Sequence, residues 1–405
     1  METSQYTRTR SVLRRLVECY HRNREAWFSI CFGILDLMSG AISALLLLRV
    51  IGRTPWIIGI FPILLSVRGA GNGVFSGVLS TSLHLGTIEP QFRRNTENYY
   101  SLISAIFAIA MINSVIAIII VGIYLRSPTD IVIMFLVMML TLIMAVSFSV
   151  VATSSLGFYA FRRGLNPDDL MYPIMSTLND VLISVFLLVG ILILRPWEPK
   201  VAIVRGGIVL ATAIIFLTYT YLRFGKNPYY HKTIREAYLG IAYVVVASSI
   251  SGIMLSRLYG FYVERPEFLI ILPLMMTSAG NVGSILVSRL TTGLSIGEID
   301  MESTREVLMY ATMSLSEILT PFMTVIIVGS VATAWIVGKP ACIPVFMATV
   351  LLLGLAVIMI SVPIVLIIAS ETFKRGLNPD NFSIPIITAT ADFLTIMIFF
   401  VIYSS

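Results

Sequence analysis

A twenty-residue segment is present in two related copies, 212 positions apart, without a gap and identical at ten positions: FRRGLNPDDLMYPIMSTLND at 161–180 and FKRGLNPDNFSIPIITATAD at 373–392. Each copy starts with a basic pair, passes through Gly-Leu-Asn-Pro and ends on an aspartate that leads into an apolar run. A duplication of this length requires two copies of one local structure, so whatever surrounds Asp180 has a counterpart around Asp392. An ionised carboxylate inside a membrane is costly without a partner. Two carboxylates placed symmetrically therefore predict a cation held between them. If the repeats were only architectural, each aspartate would instead bond privately within its own bundle.

The apolar runs make the membrane setting unavoidable. Hydrophobic residues are 57% of 405 positions, charged residues 12%, and the mean hydropathy is +0.91, which excludes a soluble globular chain. Runs long enough to cross a bilayer fall at 27–51, 56–86, 98–125, 130–160 and 172–195, then at 236–258, 267–296, 305–337, 341–371 and 384–403, with one more at 201–223 between the two sets. Five spans is an odd number, so a direct fusion would invert the second set, and the linking span restores its orientation. The expected fold is an all-α polytopic membrane protein of about eleven spans, two parallel five-helix repeats related by a pseudo-two-fold axis along the membrane normal. Its parts are a basic head at 1–26, a first membrane repeat at 27–195, a linker with one span at 196–235 and a second repeat at 236–405.

Charge sets the expected orientation. Loops assigned to the inside carry 17 Lys and Arg against 9 outside, which predicts a cytoplasmic N-terminus, an external C-terminus and a multi-pass position in the cell membrane. The arginine-rich head reads as a cytoplasmic basic stretch or a short interfacial helix rather than a signal peptide. The net charge of +6 then needs no nucleic-acid partner. Cys19, Cys31 and Cys342 are scattered and form neither a disulfide framework nor a zinc motif. His21, His84 and His231 have no clustered partners that would make them catalytic.

A second, looser repeat aligns AGNGVFSGVLSTSLHLGTIE, beginning at Ala70, with AGNVGSILVSRLTTGLSIGEID, beginning at Ala279. Glycine inside a span permits close helix approach, and Asn72 and Asn281 either line a pathway or hydrogen-bond between helices. Gly71, Gly280, Thr177 and Ser284 are expected to support the pathway wall. Ser176 and Thr388 stand one helical turn before the aspartates and on the same face. About eight residues separate Tyr172 from Asp180, or about 12 Å. Asp36 and Glu317 also lie inside spans, with apolar counterparts in the other repeat. A single such site suits a coupling ion, Na+ or H+; the other reading is a polar cavity or an interface.

The run Gly280, Asn281, Gly283, Ser284, Arg289, Leu294, Gly297, Glu298 and Ile299, with the later Gly-Leu-Asn-Pro, proline, Ser/Thr and Asp pattern, resembles the membrane domain of MgtE-type magnesium transporters. The resemblance covers about 27–195 and 236–403 and is nearest to the fused two-domain relatives among eukaryotic solute carriers, in which one chain replaces a dimer. It departs from the family's pattern where Ile285 follows Gly-Asn-x-Gly-Ser in place of glutamine and where Ala389 interrupts the Thr pair. The usual regulatory modules are not expected in so short a head and loops.

Taken together, the residues and the resemblance imply divalent cation transport, of Mg2+ foremost. The ion would pass largely hydrated between the repeats, with Asp180, Asp392, Asn72, Asn281, Ser176 and Thr388 as its contacts. No cofactor beyond the transported ion is expected. The bilayer is the other partner, and one chain serves as an internal pseudo-dimer. A Na+- or H+-coupled exchanger is the alternative. A metal-dependent intramembrane enzyme is remote, because one aspartate per repeat is too sparse for that chemistry.

Overall fold

The computed structural model describes residues 27, 33–42, 56–124, 127–163, 167–295, 299, 303–338, 343–374 and 379–403. Among these the regular structure is all helical. The helices are α1 (Gly33–Ile42, opening as a 3-10 turn at Gly33–Leu35), α2 (Ile57–His84), α3 (Glu97–Tyr124), α4 (Pro128–Arg162), α5 (Pro167–Leu194), α6 (Pro199–Phe224), α7 (Pro228–Arg257), α8 (Tyr259–Glu264), α9 (Pro266–Ser295), α10 (Thr304–Val337), α11 (Ile343–Lys374) and α12 (Pro379–Tyr403). Ten of them, α2 to α7 and α9 to α12, are long and apolar enough to cross a membrane. The remaining expected span, 27–51, is represented by Trp27 and α1, and its other residues lie outside the described ones. The basic head at 1–26 lies outside them too.

Proline explains where many of these helices begin. Six of the long helices have it as their first residue, a position where the missing N–H has no intrahelical partner to lose and φ is already helical. Asn227 caps α7 by accepting the Tyr229 N–H at 2.9 Å. In the duplicated segment the proline of Gly-Leu-Asn-Pro is this helix start, as Pro167 and Pro379. The helix thus begins ahead of Tyr172, and each aspartate stands about 20 Å from the start of its own helix.

The two repeats exchange their first helices. α7, the first helix of the second repeat, packs against α2 and α3 of the first repeat and against α12 of its own. The Gly33–Leu35 turn of α1 does the reciprocal thing, meeting α9 and α10 of the second repeat and α5 of its own. Ser39 on α1 and Ser184 on α5 share a hydrogen bond of 2.7 Å. Glycine makes both crossings possible. A Cβ on Gly252 of α7 would fall on the carbonyl oxygen of Gly59 of α2, and one on Gly40 would fall on the carbonyl oxygen of Ile270 of α9. In lipid, where apolar surface gains little by leaving the solvent, such backbone-to-backbone packing is a main source of helix association.

Burial ranks the helices by position. In the most apolar window of α2 and of α9, 83% of residues are buried, against 17% for the linking helix α6. The second helix of each repeat is therefore central, and α6 lies outermost, on α3, α4 and α5. Gly252→Ala is expected to destabilise the protein by about 2 kcal/mol through overpacking. Gly207→Ala on α6, where an added methyl meets nothing within 4 Å, should leave it unchanged or slightly stabilised. Thermal melting of the purified protein in detergent reads both, and equal melting temperatures would refute the close crossing.

Candidate functional site

The second and fifth helices of both repeats surround one cavity of about 70 Å3, room for roughly five waters. From α2 come Leu65, Ser66, Arg68, Gly69, Ala70 and Asn72, and from α5 comes Asp180. From α9 come Pro273, Met276, Thr277, Gly280 and Asn281, and from α12 come Thr388, Ala389 and Asp392. On α9 the lining residues recur at 273, 276/277 and 280/281, the three-to-four spacing of one helix face, whereas α2 turns a broader surface to the cavity. Proline interrupts both central helices, as Pro62 in α2 and Pro273 in α9. Each leaves the carbonyl one turn earlier without its helical donor.

The two aspartates face the same cavity but differ in their partners. Asp180 accepts an N–H from Arg68, an ion pair in which the guanidinium is 2% and the carboxylate 10% exposed. Its other oxygen is 3.5 Å from the Thr277 hydroxyl, across the repeat interface. Asp392 accepts the Ser66 hydroxyl at 3.2 Å, also across the interface, and among the described residues no arginine is bonded to it. Each carboxylate is thus reached by a hydroxyl from the central helix of the opposite repeat, and of the two only Asp180 is paired with a cation among the described residues.

Other residues expected at the site divide between the cavity and its support. Asn72, Asn281, Thr388 and Gly280 line the cavity. The Asn72 amide oxygen already accepts the hydroxyls of Ser149 at 2.7 Å and Thr153 at 2.9 Å, both on α4. Asn179 donates to Ser149 at 3.1 Å, so Asn72 ties α2 to α4 and α5 from the cavity wall. Gly71 lines a small adjoining space behind Arg68. Thr177 is buried outside the cavity. Ser284 bonds back to the Gly280 carbonyl at 2.9 Å. The side chain of Ser176 lies outside the described ones.

The two remaining intramembrane acids take different places. Glu317 on α10 pairs with Arg289 on α9 at 2.8 Å, away from the cavity. Asp36 on α1 is fully buried and lies in the electrostatic field of Asp180, Arg68 and Asp392. Among the described residues no three His, Cys, Asp or Glu side chains come close enough to hold one ion between them. An ion in the cavity would therefore meet two carboxylates, a few neutral oxygens and water, and keep much of its hydration shell.

The sequence reading missed Arg68, Ser66 and Thr277. Ser66 and Thr277 carry no signal of their own, since hydroxyls are common in membrane helices. Arg68 does carry one. Every other Lys or Arg except Arg289 lies in the head, in a loop or near a span end, and an arginine deep in an apolar run needs an acid to pair with. The alignment adds a second hint, because RGAGN in α2 stands opposite TSAGN in α9.

The family model for MgtE, described as a divalent cation transporter, matches the chain twice, over residues 61–191 and 272–402. No curated protein and no solved structure matches it. The two matched stretches contain most of both central helices, the duplicated segments and both aspartates, and on them the chain belongs to the MgtE family of divalent cation transporters, with the family's domain present twice in one polypeptide.

Proposed function

We propose that this protein carries a divalent cation, Mg2+ foremost, through the cavity between its two repeats, and that Asp180 and Asp392 bind the ion. The observation that supports this most is that both duplicated aspartates, one from each repeat, line a single polar cavity at the centre of the helix bundle. Magnesium binds oxygen, demands octahedral geometry and gives up water reluctantly. A space for several waters with two carboxylates in its wall suits an ion that keeps most of its shell. Thr388 and Asn281 line the same cavity and offer neutral oxygens to the ion or its waters, while Asn72 holds the wall through α4. The N-terminus is read as cytoplasmic and the C-terminus as external, from the distribution of Lys and Arg.

The two aspartates should respond differently to neutralisation. Asp392→Asn is expected to weaken Mg2+ binding at least tenfold with little change in thermal stability, since its partner in the protein is a neutral serine. Asp180→Asn is expected to weaken binding and to cost about 3 kcal/mol of stability as well, because it strands a buried guanidinium. Calorimetric titration alongside thermal melting separates the two signatures. Unchanged affinity in both variants would remove the aspartates from the ion's path.

Coupled exchange of the divalent ion against Na+ or H+ is a second reading, favoured by Asp36, a third carboxylate beside the cavity. In proteoliposomes with an imposed sodium or pH gradient, a coupled exchanger changes its Mg2+ flux with one of the gradients. An uncoupled pathway ignores both.

A further inference from the structure

Two ionisable side chains, Arg68 in the cavity wall and Asp36 beside it, have hydrogen-bonding capacity left over, and they complement each other. Arg68 spends its Nη2 on Asp180, while Nε and Nη1, both buried, meet no acceptor. Asp36 is 0% exposed; the Thr277 hydroxyl is the donor beside its carboxylate, and neither oxygen is bonded to a cation among the described residues. A buried charge with idle donors or acceptors is costly, and more so in a low-dielectric interior. The two share one environment: Asp36 Oδ2 lies in the surroundings of Gly33 with Thr277 and Asn281, which line the cavity together with Arg68, and Asp36 lies in the field of Arg68, Asp180 and Asp392. Both charges belong to one repeat only, since Thr277 stands where a second Arg68 would be.

Charge balance gives these leftovers a meaning. Taken as ionised, Asp36, Asp180, Asp392 and Arg68 sum to a charge equal and opposite to that of one divalent cation. With Arg68 on Asp180, a bound ion would find only Asp392 uncommitted, and Asp36 would stay without a counter-charge. With Arg68 on Asp36, that pair is neutral, and Asp180 and Asp392 together match the ion. Arginine cannot leave by losing its proton, so freeing Asp180 requires the guanidinium to move.

We infer that Arg68 is a tethered counter-ion which the transported cation displaces from Asp180, and that Asp36 on the exchanged helix α1 is the seat to which it moves. This rests on the assignment of Asp180 and Asp392 to the ion. Arg68 would then set the affinity of the site, keeping the ion-free cavity from standing as a bare pair of carboxylates and letting the ion be released when the guanidinium returns.

The test is Mg2+ titration of the full chain in detergent, with thermal melting as a check on folding, for wild type, Asp392→Asn, Arg68→Gln, Asp36→Asn and the Arg68→Gln/Asp36→Asn double variant. Removing the competitor in Arg68→Gln should tighten Mg2+ about tenfold. Removing its second seat in Asp36→Asn should weaken Mg2+ about tenfold. In the Arg68→Gln background the Asp36→Asn change should shift affinity less than twofold, because there is no guanidinium left to seat. Weaker binding in Arg68→Gln, or an Asp36→Asn effect that persists in that background, would make Arg68 a fixed structural counter-charge and overturn the inference. If Arg68→Gln does not fold, Asp36→Asn alone decides, and wild-type affinity there overturns the inference. Failure of the underlying site is read separately, as unchanged affinity in Asp392→Asn.

Discussion

A charge enclosed by apolar helices persists only where another charge or a full set of hydrogen bonds balances it, and the centre of this protein is organised by that requirement. Arg68 and Asp180 form an ion pair almost shielded from solvent, in a bundle whose central helices are largely buried. Removing either member would leave the other exposed to a low-dielectric interior, which is far more costly than the pair itself. The hydroxyls of Ser66 and Thr277 and the cavity's room for water soften that interior locally. The site is thus a small polar volume maintained inside a packing problem that otherwise favours hydrocarbon throughout.

Symmetry supplies the frame, and the charges then depart from it. The exchanged first helices bind the halves reciprocally, each using a glycine to lie against the central helix of the other repeat. Each aspartate is likewise reached by a hydroxyl from the opposite central helix. Within that frame Arg68 and Asp36 belong to the first repeat alone, while the Arg289 and Glu317 pair belongs to the second. A homodimer of a single-repeat chain is bound to present identical charges from both sides. A fused chain is released from that constraint, and here the two aspartates have come to differ in what holds them.

The support behind the cavity is asymmetric too. Asn72, Ser149, Thr153 and Asn179 form a buried network that fastens α2, α4 and α5. In the register of the duplicated segment Asn179 corresponds to Ala391, and Thr153, by the same offset, to Val365. Asn281 therefore shares the address of Asn72, with Ser361 at the register of Ser149 and apolar residues at those of Thr153 and Asn179. The second repeat fastens its central helix at another place, through the Arg289 and Glu317 pair between α9 and α10, and packs closely beside the cavity, with Gly280 against Thr388 and Gly283 against Ile387.

Much of this was legible before any coordinates. The apolar runs required a polytopic helical membrane protein, the parity of five spans required a linking helix, and the shared register of residues 161–180 and 373–392 was enough to expect Asp180 and Asp392 on one cavity. These follow from periodicity and repetition, which are properties of the chain itself. The exchange of first helices was not legible, because sequence order does not say which of two equivalent bundles a helix joins. Nor was the partner of each aspartate, which depends on side chains from helices far apart in the chain meeting within a few ångströms. Sequence alone thus determined the elements, their duplication and the family; only the tertiary structure decided that Asn72 turns its oxygen to α4, that Glu317 is taken by Arg289, and that Arg68 and Asp36 stand beside the duplicated pair, because a buried charge is defined by what packs against it.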